Sequence, residues 1–170
     1  MSNPSFNDFS KRRKSLGKKA KGREYTDFLF KVLTDLVGED LNRQLVFSEN
    51  SPVDFVWCLL SLGMECKRFR ETRFRNDGAC KAWMKGEVID RFTEYEQETG
   101  KILNARILCV SEKKWGRKVD DWLVNQGFYV LETGQIDDNL QRAIAEKIFF
   151  DGFTDVLEDI AKDKIMPRCL

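Results

Sequence analysis

The sequence predicts an α/β fold: a mixed central sheet flanked by helices and closed by further helices at the C-terminal end. Three observations point there. Short apolar runs rich in Val, Ile, Leu and Phe alternate with segments whose apolar residues recur every three or four positions. The two long apolar runs at 53–60 and 62–69 follow one another almost without a spacer, as hairpin strands do, whereas later runs are separated by helix-length segments, as crossover-connected parallel strands are. With 170 residues, 42% of them hydrophobic, the chain also has the size of one domain with a substantial core.

In chain order, residues 1–22 lack apolar periodicity, hold Ser, Asn, Pro, Gly and basic side chains, and read as a flexible arm. Residues 23–37 place Tyr25, Phe28, Leu29, Val32, Leu33 and Leu36 on one helical face, with Gly38 as the expected stop. Residues 44–48 read as a short strand, and Glu49-Asn50-Ser51 has turn chemistry. Pro52 opens the strand pair 53–60 and 62–69, both near-continuous apolar runs, with Ser61 and Gly63 as the turn candidates. Residues 70–81 are polar and contain Asn76-Asp77-Gly78, so an exposed loop is expected. Trp83, Val88, Ile89, Phe92 and Tyr95 fit a helix ending near Gly100. A strand at 105–110, a helix at 116–125 and a strand at 128–131 follow. One or two helices over 137–162, with Gly152 as the expected break, close the chain. The expected organisation is an arm (1–22), a core (23–134) and a helical extension of the same domain (135–170).

Composition removes whole classes of chemistry. There is no histidine, so Ser-His-Asp and Cys-His catalysis, histidine-dependent nucleases and the usual zinc enzymes are excluded. The five cysteines, Cys58, Cys66, Cys80, Cys109 and Cys169, form no Cys-x-x-Cys pair and are expected to be reduced and packed. No apolar run reaches the roughly 20 residues of a membrane span. The basic N-terminus lacks a signal-peptide core, so a soluble intracellular protein, cytoplasmic or nucleoid-associated, is expected. The net charge is only +1, but it is unevenly spread. Lys11, Arg12, Arg13, Lys14, Lys18, Lys19, Lys21 and Arg23 make the start basic; Lys67, Arg68, Arg70, Arg73, Arg75, Lys81 and Lys85 form a second basic run; and 137–163 is acidic.

Asp54, Glu65 and Lys67 stand in otherwise apolar strands, where charges are costly unless they pair or bind an ion. Side chains two apart share a strand face, so Glu65 and Lys67 project together while Cys66 points away. Mg²⁺ prefers hard oxygen ligands and keeps several waters, so Asp54, Glu65 and the Cys66 backbone carbonyl would suffice to hold it. Lysine beside such a site could orient the attacking water or stabilise charge. A buried ion-pair cluster with no chemistry is the alternative reading of the same three residues.

With Pro52 before them and Glu24 on the preceding helix, Asp54, Glu65 and Lys67 make the chain resemble the PD-(D/E)xK nuclease superfamily. That superfamily has a restriction-endonuclease-like core. Within it, the element order over roughly 23–132 is most similar to archaeal Holliday-junction resolvases, small restriction-type enzymes and intron homing endonucleases. Val53 intervenes to give Pro-x-Asp, which leaves Asp54 matching and Pro52 only a strand opener. The resemblance implies a Mg²⁺-dependent endodeoxyribonuclease, with Mn²⁺ able to substitute. Asp54 and Glu65 would be metal ligands, Lys67 the catalytic lysine and Glu24 an outer or second-metal ligand. For Glu24, a place in the first helical turn is an equally good explanation. The triplet Glu112-Lys113-Lys114 repeats the Glu-x-Lys pattern, but no strand-borne aspartate precedes it at hairpin distance.

The expected partner is DNA, contacted at phosphates by Lys18, Lys19, Arg23, Arg68, Arg70, Arg73 and Arg75. Phe69 and Phe74, interleaved with those arginines, are candidate base contacts, whereas Phe55, Trp57, Phe92 and Phe128 read as core. Duplex cleavage needs two sites, which implies a homodimer or higher assembly. Two other readings stand beside this one: a non-catalytic nucleic-acid-binding protein on the same fold, and an RNA-directed nuclease.

Overall fold

A helix opens the fold where Tyr25, Leu29, Val32 and Leu33 form one buried stripe. The computed structural model describes residues 20–42, 45–46, 53–57 and 60–162. Helix α1 spans Ala20–Asn42 and runs on through Gly38, the expected stop. One glycine costs a helix only about 1 kcal/mol, which flanking turns can absorb. Strands β1 (Leu45–Val46), β2 (Phe55–Trp57) and β3 (Leu62–Lys67) follow, then α2 (Asp77–Met84), a π-helical turn (Lys85–Ile89) and α3 (Asp90–Thr99). Strand β4 (Ala105–Val110), helix α4 (Arg117–Asn125), strand β5 (Phe128–Glu132) and helix α5 (Asn139–Ile160) complete the order.

The described strands form one sheet in the order β1-β2-β3-β4-β5. β1, β2 and β3 pair antiparallel, and β3, β4 and β5 pair parallel through the two helical crossovers. The α/β class and the mixed sheet are as the sequence pattern implies. Strand alternation then sorts the core into two layers. Leu62, Met64 and Cys66, with Ile107 and Cys109 of β4, pack under α1 and α5. Val56, Leu108, Val110 and Phe128 pack under α2, α3 and α4. Because α5 supplies Ala145, Phe149, Phe153 and Val156 to the first layer, the C-terminal extension shares the core of the rest.

Several expected boundaries shift for local reasons. Asn76-Asp77-Gly78 starts a helix: the Asn76 side chain accepts from the Ala79 amide at 2.8 Å as an N-cap, so α2 begins inside the expected loop. Gly152 does not break α5; a Cβ there would lie 2.8 Å from Leu131, so the glycine lets the helix close on β5. β2 is shorter than expected and begins just after Asp54. The hairpin turns at Leu60–Ser61, with Ser61 at φ 49°, held by the Asn104 amide donating to the Ser61 carbonyl at 2.6 Å. Gly63 belongs to β3 itself, where a Cβ would fall 2.7 Å from Leu103 and 3.0 Å from Phe92. The expected turn at 49–51, Pro52, Cys58, Cys169 and residues 1–19 of the arm lie outside the described residues. The described cysteines Cys66, Cys80 and Cys109 are buried.

Candidate active site

Antiparallel pairing of Phe55 with Met64 puts Asp54 beside Glu65 at the start of β2. Two bonds lock the pair: the Cys66 amide donates to Asp54 Oδ2 at 2.8 Å, and the Asp54 amide donates to Glu65 Oε2 at 3.1 Å. Alternation along β3 turns Glu65 and Lys67 towards the α2/α3 layer and Cys66 towards α1, as expected from the two-residue period. Lys67 Nζ lies 3.2 Å from Glu65 Oε1 and 4.0 Å from Glu87 Oε2. It also sits over the Trp83 ring, 5.8 Å from the centroid.

Glu65 is 2% exposed while the Lys67 side chain is 18% exposed, so the cluster is deep at the acid and open at the amine. Burial, reinforced by the charge of Asp54, pushes the Glu65 carboxyl up to about 8, against the pull of Lys67 and Arg91. Arg91 Nη2 is bonded to Glu87 at 2.9 Å, and burial works against its charge, but Glu65, Glu87 and Asp54 outweigh that and raise its pKa.

Sequence reading missed Glu87 and Arg91. Four residues apart, they pass for an ordinary surface ion pair of a helix. Glu87 lies within the π-helical turn Lys85–Ile89 and Arg91 just after it, and π turns often mark functional positions. An i→i+5 turn leaves no legible signature in a 3.6-residue hydrophobic pattern.

The donor chemistry fits a hard divalent cation. Among the described residues no group of three or more His, Cys, Asp or Glu side chains converges as a metal cage. Mg²⁺ does not need one, because two carboxylates and a backbone carbonyl leave positions for its waters. A buried acid held near 8 beside a second carboxylate is also a site where added positive charge would favour ionisation.

The remaining candidates separate. Glu24 lies on α1, in the other layer. Its carboxylate is engaged by Arg142 at 2.9 Å and Arg68 at 3.4 Å. Since α1 starts at Ala20, Glu24 is also past the first turn. Arg68 is only 3% exposed, bridging Glu24 and Asp137, and Arg70 pairs with the same Asp137. Arg68 thus ties α1 to the entry of α5, and Arg70 adds a second hold on Asp137. Arg73 and Arg75 are exposed in the loop before α2, Arg23 is half-buried on α1, and Lys18 and Lys19 lie outside the described residues. Phe69 is 3% exposed and packs among Phe74, Trp83 and Trp115, so it belongs to the core rather than to a base-contacting surface. Lys114 pairs with Glu112 at 3.1 Å, which holds that exposed carboxyl below its ordinary value.

No protein-family model, curated protein or solved structure matches the chain. No described helix is long and apolar enough to cross a membrane.

Proposed function

We propose that this chain is a Mg²⁺-dependent endodeoxyribonuclease hydrolysing DNA phosphodiester bonds at the Asp54, Glu65 and Lys67 cluster, with Mn²⁺ able to replace Mg²⁺. The observation that carries the reading is the pair of carboxylates locked together on neighbouring strands with an ammonium 3.2 Å from the buried one. Asp54 and Glu65, with the Cys66 carbonyl, would hold the ion. Once bound, the ion supplies Lewis acidity toward the phosphate and makes a bound water more acidic.

The chain's own groups do the rest. Lys67, the partly exposed member, stands where it can orient the attacking water and meet charge developing on the phosphate. Trp83 beneath its ammonium and Glu65 beside it restrict its position. Arg91 contributes a second fixed positive charge facing Glu65 and Asp54. Exposed Arg73 and Arg75 contact phosphates outside the cleavage point, together with the basic arm. Glu24 serves as the counter-charge of Arg68 and Arg142.

A non-catalytic nucleic-acid-binding role is the second reading. It is favoured by the cluster's self-sufficiency: Lys67 has Glu65 and Glu87, Arg91 has Glu87, and Asp54 has the Cys66 amide. One experiment separates the two. Purified protein is incubated with duplex, four-way junction, flap and single-stranded DNA, with Mg²⁺ or with EDTA, and the ends are mapped. Mg²⁺-dependent cutting that Lys67→Ala abolishes while DNA binding persists is the expected result. Binding without cutting on every substrate would establish the second reading, and equal cutting by Lys67→Ala would overturn the assignment of this site.

A further inference from the structure

Strand β5 is the last in the described sheet on its side, and no described strand pairs with its outer edge. A groove of about 500 Å³ is lined by Phe128, Tyr129 and Val130 together with Val124 of α4. Tyr129 packs on the α1/α5 side of the sheet and Phe128 and Val130 on the other. A single groove touches residues of both faces only where it follows the strand's edge. Asn104 and Lys113, which flank the two ends of β4, also line it, so it runs the length of the strand.

The backbone shows which groups the edge offers. The Thr133 amide donates to the Val110 carbonyl at 3.0 Å, so Thr133, and by the two-residue period Leu131 and Tyr129, turn their peptide groups towards β4. The peptide groups of Phe128, Val130 and Glu132 therefore point outward into the groove. Edge strands of monomers are normally blunted by lysine, proline, a bulge or shortness. Here Phe128-Tyr129-Val130-Leu131 has none of these within it, and the charged residues Glu132, Lys113 and Asp120 gather at its C-terminal end. Val124 is 61% exposed beside it.

We propose that the occupant is β5 of a second copy of this chain, paired antiparallel about a twofold axis through Val130. The strand is self-complementary in that register. Val130 meets its own copy and Phe128 meets Glu132 of the partner, so the outward-pointing residues face each other and exchange about six backbone hydrogen bonds. Tyr129 then lies across from Leu131 on one face, an aromatic–aliphatic cross-strand pair. The result is one continuous sheet with an isologous interface. Because the axis is perpendicular to the sheet, both Asp54, Glu65 and Lys67 clusters face the same side. Their β3 strands are about 24 Å apart across the sheet, five inter-strand spacings. This last consequence, two cleavage sites on one face of a dimer, rests on the nuclease reading; the interface itself does not.

The test uses full-length protein in EDTA without DNA, so its outcome is independent of any cleavage result. Sedimentation and light scattering should give a particle of twice the 19.9 kDa chain mass. Hydrogen exchange should show the Phe128, Val130 and Glu132 amides gaining protection as concentration rises. Val124→Lys, which changes an exposed side chain, and Val130→Pro, which deletes an outward N–H, should both give folded monomers with those remaining edge amides exchanging at least tenfold faster. A monomeric wild type overturns the proposal, whether its edge amides are open or are protected by the chain's own residues outside those described. A dimer that survives both substitutions overturns it as well, since it must use another surface.

Discussion

Replacing Glu65 by Gln should change how the metal-free protein's stability depends on pH. Burial and Asp54 hold the folded carboxyl at about 8, against 4.5 as its ordinary value. The folded state thus keeps its proton where the unfolded state has lost it. Stability from this difference is complete below about pH 4.5, declines as the pH rises, and is gone once the folded group ionises above about 8. Each pKa unit corresponds to about 1.4 kcal/mol, so the wild type should lose on the order of 5 kcal/mol across that interval. At a typical urea m-value of about 2 kcal/mol/M, that is a midpoint shift of roughly 2.5 M. Glutamine fills the same volume and can still accept from the Asp54 amide, but it cannot ionise, so its midpoint should stay nearly level.

The chain is well suited to this measurement because it has no histidine to titrate in the same window. Burial pushes two of its thiols, Cys80 and Cys109, up from 9.0 to about 11 and about 12, so the stability they contribute declines only as the pH passes about 9, and equally in both proteins. Urea unfolding in EDTA at half-unit steps from pH 5 to pH 9, for wild type and Glu65→Gln, provides the comparison. Parallel pH profiles in the two proteins would refute the argument that Glu65 is the buried acid controlling this region. Added Mg²⁺ should stabilise the wild type at pH 7 with proton release, and leave Glu65→Gln nearly unaffected.

Three other predictions concern the frame around the site. Gly63→Ala should lower stability by about 1–3 kcal/mol in thermal melts, because Leu103 and Phe92 already occupy the space a Cβ needs. Arg68→Ala should cost about 2–3 kcal/mol through loss of its bridges to Glu24 and Asp137, whereas Arg73→Ala and Arg75→Ala should leave melting unchanged and each reduce the salt slope of DNA binding by about one. Fluorescence anisotropy at several salt concentrations, beside melts of the same variants, checks that contrast. Tyr25→Phe should cost about 1–2 kcal/mol by leaving buried Thr133 without its 2.8 Å partner, and unfolding in denaturant would register it.

Sequence alone determined the α/β class and the order of its elements. Those follow from local periodicity, which a linear pattern carries. It also determined that Glu65 and Lys67 share a face and Cys66 does not, because a two-residue period leaves no choice. Tertiary structure decided which charges meet. Glu24 and Arg68 looked like site and DNA-contact residues from their places in the chain, yet the three-layer packing commits them to one another across the α1 side of the sheet. Glu87 and Arg91 looked like an ordinary helical ion pair, yet the tertiary packing sets Glu87 beside Lys67 and Arg91 within the field of the acid pair. The protonation of Glu65 was likewise not written in the chain. It arises from desolvation and from the nearness of Asp54, and both exist only once β2 and β3 have paired beneath a packed layer of helices.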